Sequence, residues 1–582
     1  MRSGKKDIQL LGIIALFLVI SSFLHFQFIV PYHISFKEQT QLFLFVSDFL
    51  ISYLSKPAAL ICYIGDFLTQ FFYLKYGGSF VITLILLIEW LLFNKVLKLL
   101  GGNKLTPLWA PLPVISEWIL FSNISFSISF PIGTILVLFI FWMYSLIRNK
   151  FISALTGIIL IPFLYCTAGC SFYLFPLMAI IYDIYNRKYR FLYWIVILAL
   201  TCILPYLAHN HYLLTLKEAY IYPYPNLISL LGIFMTGGII LLFSLRIIRD
   251  LQLTIITFIS SIILVIGFLI IGLIKTHDRE KEITFGIATE AYRNNWDAVL
   301  RLTNKADPFN NIAAYYENIA LSNKNLMSDK IINPYRFSIN NLFLPTGSRT
   351  DWLNTFLSSD VYFHIGDMNM AEYSAMKGII FSPNNRSSRL LYRLLEINMV
   401  NNDVPAAMKY IRMLEATHFH KAAAEEFKKI LQDKEEQNNI IQLQNKRNQT
   451  FKTDILRPIT NYEKSLELLI RDNPDNRIAL DYLLSIYLLN KDLPSFFKAY
   501  DTYCKNETEV IPKIYTEALL IYFKEKNIRS AKISDYGIAP DIQTEFEEFT
   551  RLLNEQEETA NPLHIKYPDT YWLYYYFKDL NK

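Results

Sequence analysis

A series of long apolar runs, confined to roughly the first 275 residues, constrains this chain more than any other feature. The first, Leu10–Val30, carries no acidic or basic side chain except His25. A helix of about twenty such residues, rising 1.5 Å per residue, covers the hydrocarbon core of a bilayer. Further runs at Phe80–Leu92, Pro113–Phe126, Ile132–Leu146, Phe151–Tyr165, Ser171–Ile184, Phe191–Leu207, Leu227–Leu245 and Thr254–Leu273 bring the expected number of spans to about nine. Met1–Lys6 has the charge of a signal-peptide start. The apolar run after it is too long for one and lacks a small-residue cleavage site, so it reads as an uncleaved anchor.

Charge divides the chain at the same place. Residues 1–275 hold 18 Lys+Arg against 9 Asp+Glu, and the remainder holds 38 against 42, so +9 and −4 give the overall +5. An apolar basic half followed by a polar half predicts a membrane domain, 1–275, and an aqueous domain, 276–582. The basicity sits where membrane topology wants it and is no argument for nucleic acid. With the amino terminus in the cytoplasm, thirteen basic residues, among them Lys95, Lys98, Arg148, Arg187 and Arg190, fall in internal loops. Only Lys37, Lys56, Lys75 and Lys217 fall in short external ones. The positive-inside rule then orients the chain, and nine crossings put residues 276–582 outside, in the periplasm of a bacterial inner membrane.

Residues 32–77 form a long first external loop that is not polar. Gln39–Leu54 and Ala58–Leu74 both space apolar residues as amphipathic helices do, which predicts two helices at the membrane surface or a hairpin packed on the bundle. The loop's acids are Glu38, Asp48 and Asp66. The arrangement resembles the membrane module of the GT-C glycosyltransferases, whose first outer loop carries two surface helices and an early catalytic acid. Those enzymes take sugar from a polyprenyl-phosphate carrier. The resemblance implies Glu38 as catalytic carboxylate, with Asp48 and Asp66 as lesser candidates. It implies Lys37, Lys56, Lys75 and Lys217 as partners of the carrier phosphate, and leaves room for a divalent cation held by the carboxylate. No paired Asp-x-Asp or Asp-Glu stands in the loop, and a solvated carboxylate is the plain alternative.

Two acids lie inside apolar runs, Glu89 and Glu117, each followed by Trp. Ionisable groups in a bilayer are costly unless paired or wetted, which makes both candidates for function or for a hydrogen bond to a neighbouring helix. Cys166 and Cys170 read as small apolar filler, and His209 and His211 lack a third ligand beside them. No cofactor is expected from these residues.

From Lys275 onward amphipathic helices of about 12–16 residues alternate with short polar breaks. The breaks include Asp307-Pro308-Phe309-Asn310-Asn311, Ser382-Pro383-Asn384-Asn385 and Asn473-Pro474-Asp475-Asn476. Tyr362, Gly366, Ala371 and Ala375 match a tetratricopeptide pattern, and Asn402-Asp403 with Ala407 and Asn490-Lys491-Asp492 repeat parts of it. The expected fold is all-α: a transmembrane helix bundle followed by a tetratricopeptide-like α-solenoid. Residues 329–350 read as an irregular insertion and 431–452 as an exposed helix or linker. His418 and His420 read as surface residues, and the aromatic run Tyr571–Phe577 as a cap.

Tyr292–Asp297, Tyr362–Gly366, Asn473–Asn476, Tyr482–Leu484 with Tyr487–Leu493, and the Tyr571–Lys578 ending, with Glu38-Gln39 and Phe67–Phe72, resemble a family of uncharacterised integral membrane proteins of Bacteroidota. That resemblance implies an envelope setting and supplies no activity. Two functions follow as expectations. One is a non-enzymatic envelope protein whose outer repeats dock a protein partner. The other is a GT-C-like glycosyltransferase using a polyprenyl-phosphate sugar.

Overall fold

The computed structural model describes the chain apart from residues 1, 189, 246–247, 249–253, 331–337, 347–350, 383–384, 453–460, 506–510, 529–535, 556–560 and 578–582. The described residues are helical, with no strand. They form two compact units, Met1–Glu282 with Ala416–Lys421, and Ile283–Glu415 with Ala422–Lys582.

The first unit holds α1 (Arg2–Leu24), α2 (Pro31–Gln39), α3 (Ser47–Leu54), α4 (Ala59–Thr69), α5 (Gly77–Leu99), α6 (Thr106–Trp109) and α7 (Pro111–Leu120). There follow α8 (Ser129–Ser145), α9 (Lys150–Ala168), α10 (Leu174–Tyr185), α11 (Phe191–His211), α12 (Leu216–Ile221), α13 (Leu231–Ser244) and α14 (Ile255–Thr276). Among the described residues, five segments are long and apolar enough to cross a membrane: Gln9–Ile29, Gly77–Leu99, Lys150–Tyr185, Phe191–His211 and Ile255–Thr276. Ala59–Tyr73, Ser129–Ser145 and Ile228–Ser244 are shorter apolar helices. The 36-residue stretch Lys150–Tyr185 breaks at Gly169, whose φ of 58° and ψ of −145° leave the helical region. A side chain there would also meet Pro223 and Ala58, so glycine is required for the turn between α9 and α10. The expected span Pro113–Phe126 is the ten-residue α7, buried along its whole length and about 15 Å long at 1.5 Å per residue.

Contacts between loops define the two ends of this bundle. At one end Glu282 accepts from the backbone N–H groups of Tyr32 (2.7 Å) and His33 (3.1 Å), and Lys37 donates to the Phe126 carbonyl. Lys56 donates to the Tyr212 carbonyl at 2.8 Å, and the Cys170 N–H to that of Tyr222 at 2.8 Å. At the other end Asn103 donates to the Ile248 carbonyl, Tyr182 to that of Ser145, and Arg190 to that of Lys150, each at 3.0 Å. The long helices, with α6 and α7 taken together, run alternately between these ends.

The first loop folds into three helices rather than two, because Gln41–Val46 leaves the helical conformation between α2 and α3. On α3 and just before it, Phe45, Val46, Leu50, Ile51 and Leu54 are exposed while Phe49 is buried, giving the amphipathic face expected of a surface helix.

The second unit continues with α15 (Arg279–Tyr292), α16 (Trp296–Thr303), α17 (Asn311–Asn323), α18 (Met327–Lys330), α19 (Trp352–Leu357), α20 (Ser359–Ile365), α21 (Met368–Phe381) and α22 (Ser388–Val400). Next are α23 (Val404–Glu415), α24 (Lys421–Gln432), α25 (Lys434–Asn439), α26 (Ile441–Asn448), α27 (Tyr462–Asp472) and α28 (Arg477–Leu489). Last come α29 (Leu493–Tyr503), α30 (Lys513–Glu525), α31 (Pro540–Glu555), α32 (Asn561–Lys566) and α33 (Tyr571–Phe577).

The polar breaks act as helix caps. Asn310, Asp367, Asn476 and Asp492 each accept the backbone N–H three residues on, satisfying an orphan donor of the first turn. Gly366 ends α20 at φ 96°, and Ala371, Ala375 and Ala407 are fully buried. Pro383 and Asn384 lie outside the described residues, as does much of 329–350. The 431–452 stretch forms α25 and α26. Tyr571, Trp572, Leu573 and Tyr574 are buried in this unit, where Glu517 accepts from the Tyr571 N–H at 2.6 Å.

Candidate functional site

The site assembles on α2, immediately after the first long apolar helix. Pro31 starts this helix with a φ suited to its first turn. The Tyr32 and His33 N–H groups, orphaned at a helix start, find the Glu282 carboxylate instead of a capping side chain. Burial outweighs those two donors and pushes the Glu282 carboxyl up to about 7. Burial, together with the nearby Lys37 charge, brings the His33 imidazole down to about 3, so it is neutral.

Glu38 occupies the last turn of α2 and is 7% exposed. Its Oε1 lies 3.1 Å from His420 Nε2, across 382 residues of chain. His420 belongs to Ala416–Lys421, the short segment that packs as part of the first unit. Three kinds of contact fix that segment. The Phe45 N–H donates to the Ala416 carbonyl at 2.7 Å, and the His420 N–H to Thr417 Oγ1 at 3.1 Å. Phe419 stacks on Tyr73 and meets the edge of Phe71, while the His420 ring stands edge-on to Tyr73 at 5.2 Å. Gln41 and Gln70 complete a recess of about 10 Å³, room for one water molecule.

Lys37 precedes Glu38, and its ammonium lies 5.9 Å from the centre of the Phe121 ring. Burial, partly offset by Asp66, brings it down to about 7. Lys37 therefore gains or loses a proton near neutrality. Asp66 accepts from the Tyr53 hydroxyl at 2.5 Å, and Asp48 is exposed in the first turn of α3. Lys56 is spent on the Tyr212 carbonyl, Lys75 is exposed beside the Tyr76 ring, and Lys217 is exposed on α12. Of the residues the sequence singles out, Glu38, Lys37 and Asp66 share one neighbourhood. A glutamate held by a histidine in this way has the geometry of a base and the group that orients it.

Sequence reasoning missed His420. It is not on a helix, as its reading as a surface residue assumed, but in the turn between α23 and α24, and it is buried. Its only local signal is the aromatic Phe419 set between two histidines in a polar turn.

Glu89 and Glu117, both 1% exposed, meet each other between α5 and α7. The Thr134 hydroxyl reaches Glu117 Oε1 at 3.4 Å, and the absent side chain of Gly232 makes room for that carboxyl. Among the described residues no donor serves either Glu89 oxygen or Glu117 Oε2. Among the described residues, no three His, Cys, Asp or Glu side chains group as metal ligands.

No curated protein and no solved structure matches this chain. The Family of unknown function (DUF6057) matches residues 6–578, nearly the whole length, and the chain belongs to that family.

Proposed function

We propose that this protein is a multi-pass glycosyltransferase of GT-C-like topology in a bacterial inner membrane, of the Bacteroidota type, taking sugar from a polyprenyl-phosphate carrier at the outer face. The observation that carries the reading is Glu38, buried one helix after the first apolar span and held by His420. The alternation of the long helices between two ends supports nine crossings. Lys95, Lys98, Arg148, Arg187 and Arg190 gather toward one end and Lys37, Lys56, Lys75 and Lys217 toward the other, which supports a cytoplasmic amino terminus and an outer Glu38. An apolar recess of about 520 Å³, lined by Leu174, Leu177, Leu230, Phe234 and Leu241, has the chemistry of an isoprenoid tail site.

In this reading Glu38 takes the proton of an acceptor hydroxyl as its oxygen bonds to the anomeric carbon. The bond from that carbon to the carrier phosphate oxygen breaks, and the phosphate leaves with the electron pair. His420 orients the carboxylate, and Lys37, released from the Phe126 carbonyl, meets the departing phosphate. In cells lacking the protein, Glu38→Gln should fail to restore the lost glycoconjugate while accumulating to the normal level; restoration at that level sinks the reading.

A second reading is an envelope scaffold whose second unit, a tetratricopeptide-like solenoid, docks a protein partner. Its support is the set of short helices with Gly366 and Asn402 turns and the buried Ala371, Ala375 and Ala407. A scaffold would be indifferent to Glu38→Gln.

A further inference from the structure

The second unit holds a cavity of about 620 Å³, within the range of small-ligand sites. Its wall is ionic. Asp360 Oδ2 accepts from Arg389 at 2.6 Å, Asp360 Oδ1 accepts from Arg393 at 3.1 Å, and Glu396 accepts from Arg393 at 2.8 Å. Lys446 is the third cation on the wall, so three positive charges face two negative ones and one is left over. His364 adds nothing, because burial brings it down to about 3 and leaves it neutral. Lys446 donates to the His364 carbonyl and to Gln449 Oε1, both at 2.8 Å, which uses two of its three N–H groups. Burial and the Arg393 charge bring Lys446 down to about 8, so it is mostly charged at neutral pH. Among the described residues Arg393 Nε has no acceptor either.

The rest of the lining is of two kinds. Asn294, Asn323, Gln442 and Asn445 present side-chain amides, each both donor and acceptor, and Tyr292 and Trp296 present aromatic surface. Amides pair well with hydroxyls, which also donate and accept, while an aromatic face covers the C–H face of a sugar ring. A peptide strand would want a row of backbone partners, and no sheet edge exists among the described residues to supply one.

We infer that this cavity binds an acidic carbohydrate, a short sugar chain bearing a carboxylate that takes the third N–H of Lys446 while its rings lie against Trp296 and Tyr292. The inference is independent of any chemistry at Glu38.

The test uses the full-length protein in detergent, with trigalacturonate as probe and a neutral trisaccharide beside it, read by calorimetry. The expected result is saturable binding of trigalacturonate, with the neutral sugar weaker by about tenfold or more. Lys446→Met should bring the acidic probe down to the neutral one, Lys446→Arg should keep the preference, and Trp296→Ala should weaken both. Glu38→Gln should change none of these affinities. Failure of trigalacturonate to bind, equal binding of the neutral sugar, or binding unchanged in either Lys446→Met or Trp296→Ala overturns the inference. An acidic peptide of equal charge binding as tightly overturns it too. Where Lys446→Met does not fold, Lys446→Gln carries the charge comparison and Trp296→Ala the stacking one.

Discussion

Replacing Asp360 by alanine removes a carboxylate that faces two arginines at once. Its Oδ2 accepts from Arg389 at 2.6 Å and from the Tyr316 hydroxyl at 2.7 Å, and its Oδ1 accepts from Arg393 at 3.1 Å. Arg389 is 2% exposed, so little water replaces its partner when the carboxylate goes. Breaking a buried pair in this way costs about 3–5 kcal/mol, because the surviving charge stays desolvated. Asp360 borders the cavity, where water can enter, so the lower end applies, about 3 kcal/mol. Hydrogen exchange on the full-length protein reads the loss locally, over α17, α20 and α22. Exchange there should quicken by about two powers of ten. Arg393→Met should cost less, since its side chain is 18% exposed and Arg389 keeps Asp360. The pH dependence has a definite sign. Burial raises the Asp360 carboxyl, but the Arg389 and Arg393 charges and the hydrogen bonds outweigh it and hold it below its ordinary 3.8. Its contribution is therefore complete above pH 3.8 and lost as pH falls through the lower folded value. Exchange quickened by less than about tenfold at neutral pH, or a difference that grows below pH 3.8, would refute the reasoning.

The remaining predictions concern the first unit. Gly65→Ala places a Cβ 2.9 Å from the Ser129 backbone nitrogen, which cannot move without shifting α8, and should cost about 1–3 kcal/mol by thermal melting. Gly238→Ala meets nothing within 4 Å and should be neutral or stabilising by up to about 1 kcal/mol. The Glu282 carboxyl, raised from 4.5 to about 7, binds its proton more tightly folded than unfolded. Its contribution is present below pH 4.5 and lost as pH rises to about 7, so wild type should lose more stability over that window than Glu282→Gln. Equal losses in the two proteins would remove Glu282 as the cause.

Much of the fold was legible because membrane and helix physics act on neighbouring residues. Apolar length placed α1, α5, α11 and α14, and Asn310, Asn476 and Asp492 of the polar breaks became the caps of α17, α28 and α29. The break between α2 and α3 was not visible, since Gln41–Val46 has the apolar spacing of a helix yet is not helical, with the Phe45 N–H given to Ala416. At the site, Glu38 could be singled out from its place after the first span. Its partner could not. His420 reaches Glu38 through tertiary packing on Tyr73 and Phe71, and nothing in the residues beside either one records the other. Glu89 and Glu117 could each be flagged by the cost of a charge in an apolar run, but their pairing depends on how α5 lies against α7. The cavity wall around Asp360 drew no attention because Arg389 and Arg393 look like the polar face of an amphipathic helix until α20 is packed against them.

The most direct measurement is sugar transfer by the purified full-length protein in liposomes, supplied with a polyprenyl-phosphate sugar and a hydroxyl acceptor. The account predicts a glycoside product with the wild type. With Glu38→Gln it predicts a rate lower by about 10²–10⁴, the scale of a lost general base, while the carrier still binds. Transfer by Glu38→Gln at the wild-type rate, or none by the wild type, contradicts it.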